Sequence, residues 1–315
     1  MRLYCMATIA LSILVASTAA FCAAAPKPKP AITIPADLEL IKDVAYSPDG
    51  NKAHVLDILR LKKLPKGPMP VLVWIHGGGF VGGDKASGYS YLKHFAKRGY
   101  FCATINYRFA YEKHFPGQLE DCKCAIRFLR AHAKEYNLDA DHIGVWGGSA
   151  GGNLVSMLGT TGGVKEFEGT GGWEKYSSRV QAVVDYYGMT DFMAINELVK
   201  QGKATQRFMD RTGTDSVSHL LGVPKWWENP ELCRKASPTT YASKDDAPFY
   251  IFHGDLDPLT NHEQGELLNE RLRAAGVESD FYLVVGGKHG WPARADVDTK
   301  VDAFLDKHLR RPGNS

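Results

Sequence analysis

The sequence predicts an α/β protein: a mostly parallel, eight-stranded sheet with helices on both faces and a small cap insertion. Three observations lead there. First, the apolar runs at residues 71–75, 100–105, 143–146, 180–186, 249–252 and 281–285 are nearly unbroken, as strands buried on both faces require. Second, helical stripes separate these runs. Leu119, Cys122, Ile126, Leu129 and Ala133 share a face after Pro116. Leu267, Leu268 and Leu272 form another stripe, closed by Gly276, and Val297, Val301, Phe304 and Leu305 a third. Strand and helix in alternation argue for a parallel sheet covered on both sides. Third, residues 43–46 and 54–61 are earlier alternating segments suited to an antiparallel edge. One stretch breaks the rhythm. Residues 192–237, with Trp226, Trp227, several glycines and many charges, separate two strands by far more than an ordinary connection. They read as a cap over the sheet edge, not as a second domain.

Composition narrows the class. The chain has 315 residues, 44% hydrophobic and 23% charged, enough apolar side chain for a large core and too much for a disordered chain. Its formal charge of +3, from 38 basic and 35 acidic residues without a long basic block, gives no electrostatic ground for nucleic-acid or anionic-membrane binding. The N-terminus differs from the rest. Arg2, an apolar run from Met6 to Phe21, and Ala23-Ala24-Ala25 before Pro26 follow the order of a secretory signal peptide. Residues 1–25 are therefore expected to be cleaved and the protein to be secreted or periplasmic, with no stable membrane insertion afterwards. The run is also short for a spanning helix. Cleavage would remove Arg2 and no acidic residue, leaving +2. Residues 26–42, opening Pro-Lys-Pro-Lys-Pro, read as a stiff tether, and residues 43–315 as the folded domain. Cys102, Cys122, Cys124 and Cys233 would remain, either as buried thiols or with at most one bridge. No pair of Cys-x-x-Cys motifs occurs, so no zinc site is expected.

The residues suited to chemistry stand at strand ends. Gly147-Gly-Ser149-Ala-Gly151 joins a strand to a helix, the pattern that lifts a serine above a sheet near a positive helix terminus. Ser149 is the expected nucleophile. His76-Gly77-Gly78-Gly79 follows the strand at 71–75, and its glycines free backbone N–H groups to turn toward one point. Gly78, Gly79 and Ala150 are the expected oxyanion donors, and His76 reads as a brace for the loop. His253-Gly-Asp255-Leu-Asp257-Pro follows a later strand, and Asp257 is preferred to Asp255 as the acid, with Asp255 left to turn or capping chemistry and Asp191 a weaker competitor. His289, on a glycine-flanked loop after the last strand, is the expected base; His114, His219 and His262 read as surface groups. A serine hydroxyl needs a base to become a nucleophile, and the base needs a carboxylate to hold its tautomer. The order Ser149…Asp257…His289 supplies all three. Trp227, Trp291 and Tyr187 are candidates for a substrate-binding cleft, with Trp173 and Trp226 beside them.

These motifs resemble the α/β-hydrolases of the hormone-sensitive lipase type. The segment Gly-Gly-Lys-His289-Gly is more similar to secreted bacterial esterases of the feruloyl and acetylxylan esterase kind. The similarity spans roughly residues 43–309. It implies the α/β-hydrolase fold and hydrolysis of a small-molecule or polysaccharide-linked ester without metal or cofactor. It also implies a bracing Arg108–Asp121 pair. Where the typical pattern has Val-Pro after the acid loop, this chain has Leu259-Thr260-Asn261. Two other readings stand beside the esterase: a peptidase or amidase on the same fold, and a non-catalytic hydrolase homologue that binds ligand.

Overall fold

The computed structural model describes residues 33–201 and 215–311. The expected signal segment 1–25, with Cys5 and Cys22, lies outside them. Eight strands form one sheet: β1 (Leu38–Ala45), β2 (Val55–Leu61), β3 (Met69–Ile75), β4 (Phe101–Ile105), β5 (Leu138–Gly148), β6 (Ala182–Tyr186), β7 (Phe249–Gly254) and β8 (Ser279–Val284). Their order is β1-β2-β4-β3-β5-β6-β7-β8. β1 and β2 are antiparallel and the remaining six run parallel, as the unbroken apolar runs require. The edge differs from expectation at its start. β1 begins at Leu38, inside the stretch expected to be tether, because Leu38 and Leu40 alternate as a half-buried strand does and Leu38 packs in the core.

Two apolar layers sandwich the sheet. On one face α2 (Gly117–Ala131), α4 (Ala150–Thr160) and α8 (Glu263–Ala274) supply Ile126, Leu154, Val155, Leu268 and Leu272 to the same core cluster as Val71, Val73 and Ile75 of β3. On the other, α1 (Tyr89–Lys97) and α9 (Ala295–Leu309) supply Leu92, Phe95, Val301 and Leu305 to the same core cluster as Leu72 and Trp74. Successive β3 side chains therefore feed opposite layers, each fully buried one contributing roughly 1.5–3 kcal/mol. A short α3 (Ala133–Tyr136) follows α2. The expected cap contains α5 (Phe192–Lys200), α6 (Ser216–Leu221) and α7 (Pro230–Ala236), and it packs Phe192, Leu220, Trp226 and Cys233 onto the first layer.

Cys102, Cys122, Cys124 and Cys233 are four buried free thiols, so no bridge forms among them. Each behaves as a small core side chain. The Cys102 and Cys233 thiols point at the carbonyls of Leu92 and Trp226. Arg108 clasps Asp121 through Nε and Nη2, at 3.0 and 2.6 Å. Asp121 also accepts from the Arg108 backbone N–H at 2.9 Å, tying α2 to the loop after β4.

Candidate active site

β5 ends in glycine because nothing larger fits. A Cβ on Gly147 would lie 2.5 Å from the Gly151 carbonyl oxygen, and one on Gly151 would lie 2.1 Å from that of Ile75. Both glycines let α4 start directly beside β3. Ser149 stands between them at φ 58°, ψ −122°. That conformation costs a non-glycine residue on the order of 1–3 kcal/mol and is typically stored at functional sites. It aims the hydroxyl above the C-terminal edge of the sheet.

The other groups arrive from neighbouring strand ends. His289 accepts the Ser149 hydroxyl at Nε2, 2.8 Å away, and donates from Nδ1 to Asp257 Oδ2, also at 2.8 Å. The carboxylate is fully covered, while the His289 side chain is 17% exposed. Burial works against the charge of Asp257. Hydrogen bonds from His253 and His289, then the His289 charge and the Leu259 N–H, outweigh it and hold the carboxyl well below its ordinary value. Asp257 therefore stays ionised and faces the imidazole as a pure acceptor. Asp255 sits elsewhere: its Oδ1 accepts from Gly286 N at 2.7 Å, fastening the loop after β7 to the loop that carries His289. Asp191 accepts from Ala194 N and Thr239 Oγ1 at the start of α5, away from His289.

The His76-Gly77-Gly78-Gly79 loop lies against the elbow. A Cβ on Gly77 would sit 3.2 Å from Ser149 Cβ, and Gly78 (φ 119°) and Gly79 (φ 62°) occupy conformations that favour glycine. Among the described residues no acceptor takes the N–H of Gly78, Gly79 or Ala150. His76 is buried, stacks on Tyr107 with centroids 4.4 Å apart, and has Nδ1 2.7 Å from the Gly77 carbonyl. Burial pushes its pKa down, which suits a neutral brace.

Of the three aromatic candidates, the structure gathers two. Tyr187, at φ 43°, has its ring 4.7 Å from that of His289 and 5.2 Å from Trp291. Both rings line a cleft of about 590 Å³ with Tyr91, Trp146 and Tyr186. Trp227 does not belong to it: it packs edge-on against the buried Trp226 in the cap. Two adjacent tryptophans in a mixed segment give no sign of which face they take, and here core packing won.

Sequence reasoning passed over two residues at the acid. Thr260 Oγ1 is 3.0 Å from Asp257 Oδ2, and the His253 Nε2–H donates to the Thr260 carbonyl at 2.8 Å while lying 3.4 Å from the same carboxylate oxygen. Their signal was present as the departure Leu259-Thr260-Asn261 and as the first residue of the acid motif. Among the described residues, no cluster of three or more His, Cys, Asp or Glu side chains is arranged to hold a metal.

A parallel sheet with an antiparallel edge, a serine at a strained strand-to-helix turn, and Asp and His on later strand ends define the α/β-hydrolase class. The chain belongs to the BD-FAE family, whose model matches residues 56–272. It is 32% identical to "Esterase LipC" of Mycobacterium tuberculosis over 79% of this chain and 59% of that protein. It is 31% identical to "Probable carboxylic ester hydrolase LipM" of the same organism, over 76% and 53%. The chain thus spans little more than half the length of these relatives. Among solved structures it resembles a "truncated form of carbohydrate esterase from gut microbiota", with TM-score 0.77 and 28% identity over 87% of this chain and 97% of that one. The Thermogutta terrifontis esterase Est2, at 22% identity and TM-score 0.67 over 88% and 97% of the two chains, shares the fold.

Proposed function

We propose that the protein is a serine carboxylic-ester hydrolase. The observation that carries this is the unbroken chain of two 2.8 Å hydrogen bonds from Ser149 through His289 to Asp257. In this reading His289 Nε2 takes the Ser149 proton as Oγ attacks the acyl carbon. The carbonyl electrons move onto oxygen, where the N–H groups of Gly78, Gly79 and Ala150 receive them. Asp257 stabilises the imidazolium and keeps Nε2 toward the serine. Collapse expels the alcohol, which takes its proton from His289, and leaves an acyl-serine. Water then repeats the sequence with the acyl group as its target.

The substrates in this proposal are short acyl or aryl esters, such as those carried by plant polysaccharides. The Tyr187–Trp291 wall beside His289 suits a flat ring, and a similar solved structure is titled a carbohydrate esterase. The order of residues in segment 1–25 supports action outside the cytoplasm. Mixing the protein with p-nitrophenyl acetate should release a burst of p-nitrophenol and leave one acetyl group on Ser149, detectable by mass spectrometry. Ser149→Ala should lose both. A folded Ser149→Ala protein that keeps more than a few per cent of the rate would overturn the assignment. Rates across acetyl, butyryl and feruloyl esters then test the substrate class.

A further inference from the structure

The acid of this site is held by more than its turn. Asp257 Oδ1 accepts from the backbone N–H groups of Leu259 and Thr260, at 2.8 and 3.1 Å. Oδ2 carries the bond to His289 and faces one further hydroxyl, Thr260 Oγ1, at 3.0 Å. Thr260 is 4% exposed. Its hydroxyl is a junction. Besides Asp257 it lies 3.1 Å from the Tyr187 carbonyl, 3.3 Å from His289 Nδ1 and 3.4 Å from His253 Nε2. The Thr260 carbonyl is in turn fixed by the N–H of buried His253. One side chain therefore touches the acid, the base and the strained residue whose ring flanks that base.

We infer that Thr260 is a positioning residue for the Asp257–His289 pair, its hydroxyl sharing the charge of Asp257 Oδ2 and so setting the basicity of His289. This rests on the serine-hydrolase reading above. A hydroxyl has one proton, and here it has two acceptors, a carboxylate and a carbonyl. The carboxylate bond is the stronger because a charged acceptor roughly doubles a hydrogen bond. Donation to Oδ2 draws off negative charge that would otherwise favour imidazolium at His289, keeping the base neutral to lower pH. The opposing effect is the hydroxyl's lone pair facing His289 Nδ1. It acts across a longer 3.3 Å gap on an N–H already satisfied by Asp257, so the donor effect wins. The titratable groups that also face this pair are His253 on β7 and Tyr187 after β6, with Tyr91 of α1 hydrogen-bonded to Tyr187 and Asp185 of β6 behind it. Neither tyrosine ionises near neutrality, since burial pushes both hydroxyls up.

The test is Thr260→Val, which keeps the shape and removes the hydroxyl, measured beside Thr260→Ser on p-nitrophenyl acetate. With valine, kcat should fall on the order of ten-fold with KM little changed, as when a supporting hydrogen bond behind a catalytic ligand is lost. The acid limb of kcat/KM should move to higher pH by about half a unit or more, because an undiluted Asp257 charge favours imidazolium. Serine should recover most of the rate and return the limb to its place. Should valine fail to fold, Thr260→Ala serves the same reading. A folded hydroxyl-free variant with wild-type kcat and an unmoved limb overturns the inference. So does a slow variant whose limb stays put or moves down, or one that serine does not rescue, for then only packing was lost. These outcomes leave the serine assignment intact, since that stands or falls on Ser149→Ala alone.

Discussion

Asp185 offers a stability test worked directly from its surroundings. It lies on β6, fully buried, with two donors: Ser156 Oγ to Oδ2 and Gly188 N to Oδ1, each at 3.0 Å. No cation among the described residues comes within salt-bridge distance of it. Burial raises its pKa from the ordinary 3.8 to about 6, only partly offset by Ser156, by nearby His253 and by the Gly188 N–H. That displacement corresponds to about 3 kcal/mol of preference for the neutral form in the native state. The folded value is raised, so the native state binds the proton more tightly than the unfolded chain. Native stability attributable to this group is therefore greatest below pH 4, declines as pH rises toward 6, and is lowest above it. Asp185→Asn removes the charge and keeps an acceptor for Gly188, at the cost of reorienting the Ser156 hydroxyl, a loss of about 1 kcal/mol. The variant should thus be more stable than wild type by about 2 kcal/mol at pH 8, an increase in melting temperature of about 4–8 °C. That advantage should vanish or reverse at pH 4. Thermal unfolding by circular dichroism at the two pH values reads the difference. A variant that melts below wild type by the same margin at both would show that the buried charge is not what costs stability here.

Two further perturbations separate chemistry from scaffolding. Asp257→Asn should cut turnover by about 10⁴ by letting the unproductive imidazole tautomer accumulate, while Asp255→Asn should cost far less, since an amide oxygen can still accept from Gly286 N. Steady-state rates on p-nitrophenyl acetate decide it, and the reverse ranking would transfer the acid role to Asp255. Gly151→Ala should destabilise by about 2–3 kcal/mol or more in chemical denaturation, because its Cβ would meet the Ile75 carbonyl at 2.1 Å and rigid backbone cannot yield. Gly82→Ala, with its nearest neighbour at 3.9 Å, should stay within about 0.5 kcal/mol of wild type.

How much of this was legible beforehand follows from how local each feature is. The five inner parallel strands were visible because burial on both faces forces unbroken apolar runs, and β3 sends Leu72 and Val73 into opposite layers. The half-buried edge strand β8 showed through its own apolar run at residues 281–284. The elbow was visible because its glycines answer to contacts within a few residues of Ser149 and with the adjacent strand. Features settled by distant packing were not legible. Leu38 and Leu40 carried the alternation of a strand, but the proline–lysine run ahead of them suggested a tether. Trp227 and Trp291 look alike in sequence, yet one rests on Trp226 and the other on Tyr187. Thr260 is the sharpest case. A threonine three residues beyond an aspartate has the character of a turn residue, and its N–H does close that turn. Its hydroxyl gains a second role only because β6 delivers the Tyr187 carbonyl and the loop after β8 delivers His289 to the same point. Catalytic groups announce themselves by motif because each must be one of few residue types. The groups that hold them need only a donor in the right place, so many sequences would serve and none is diagnostic until the strand ends converge.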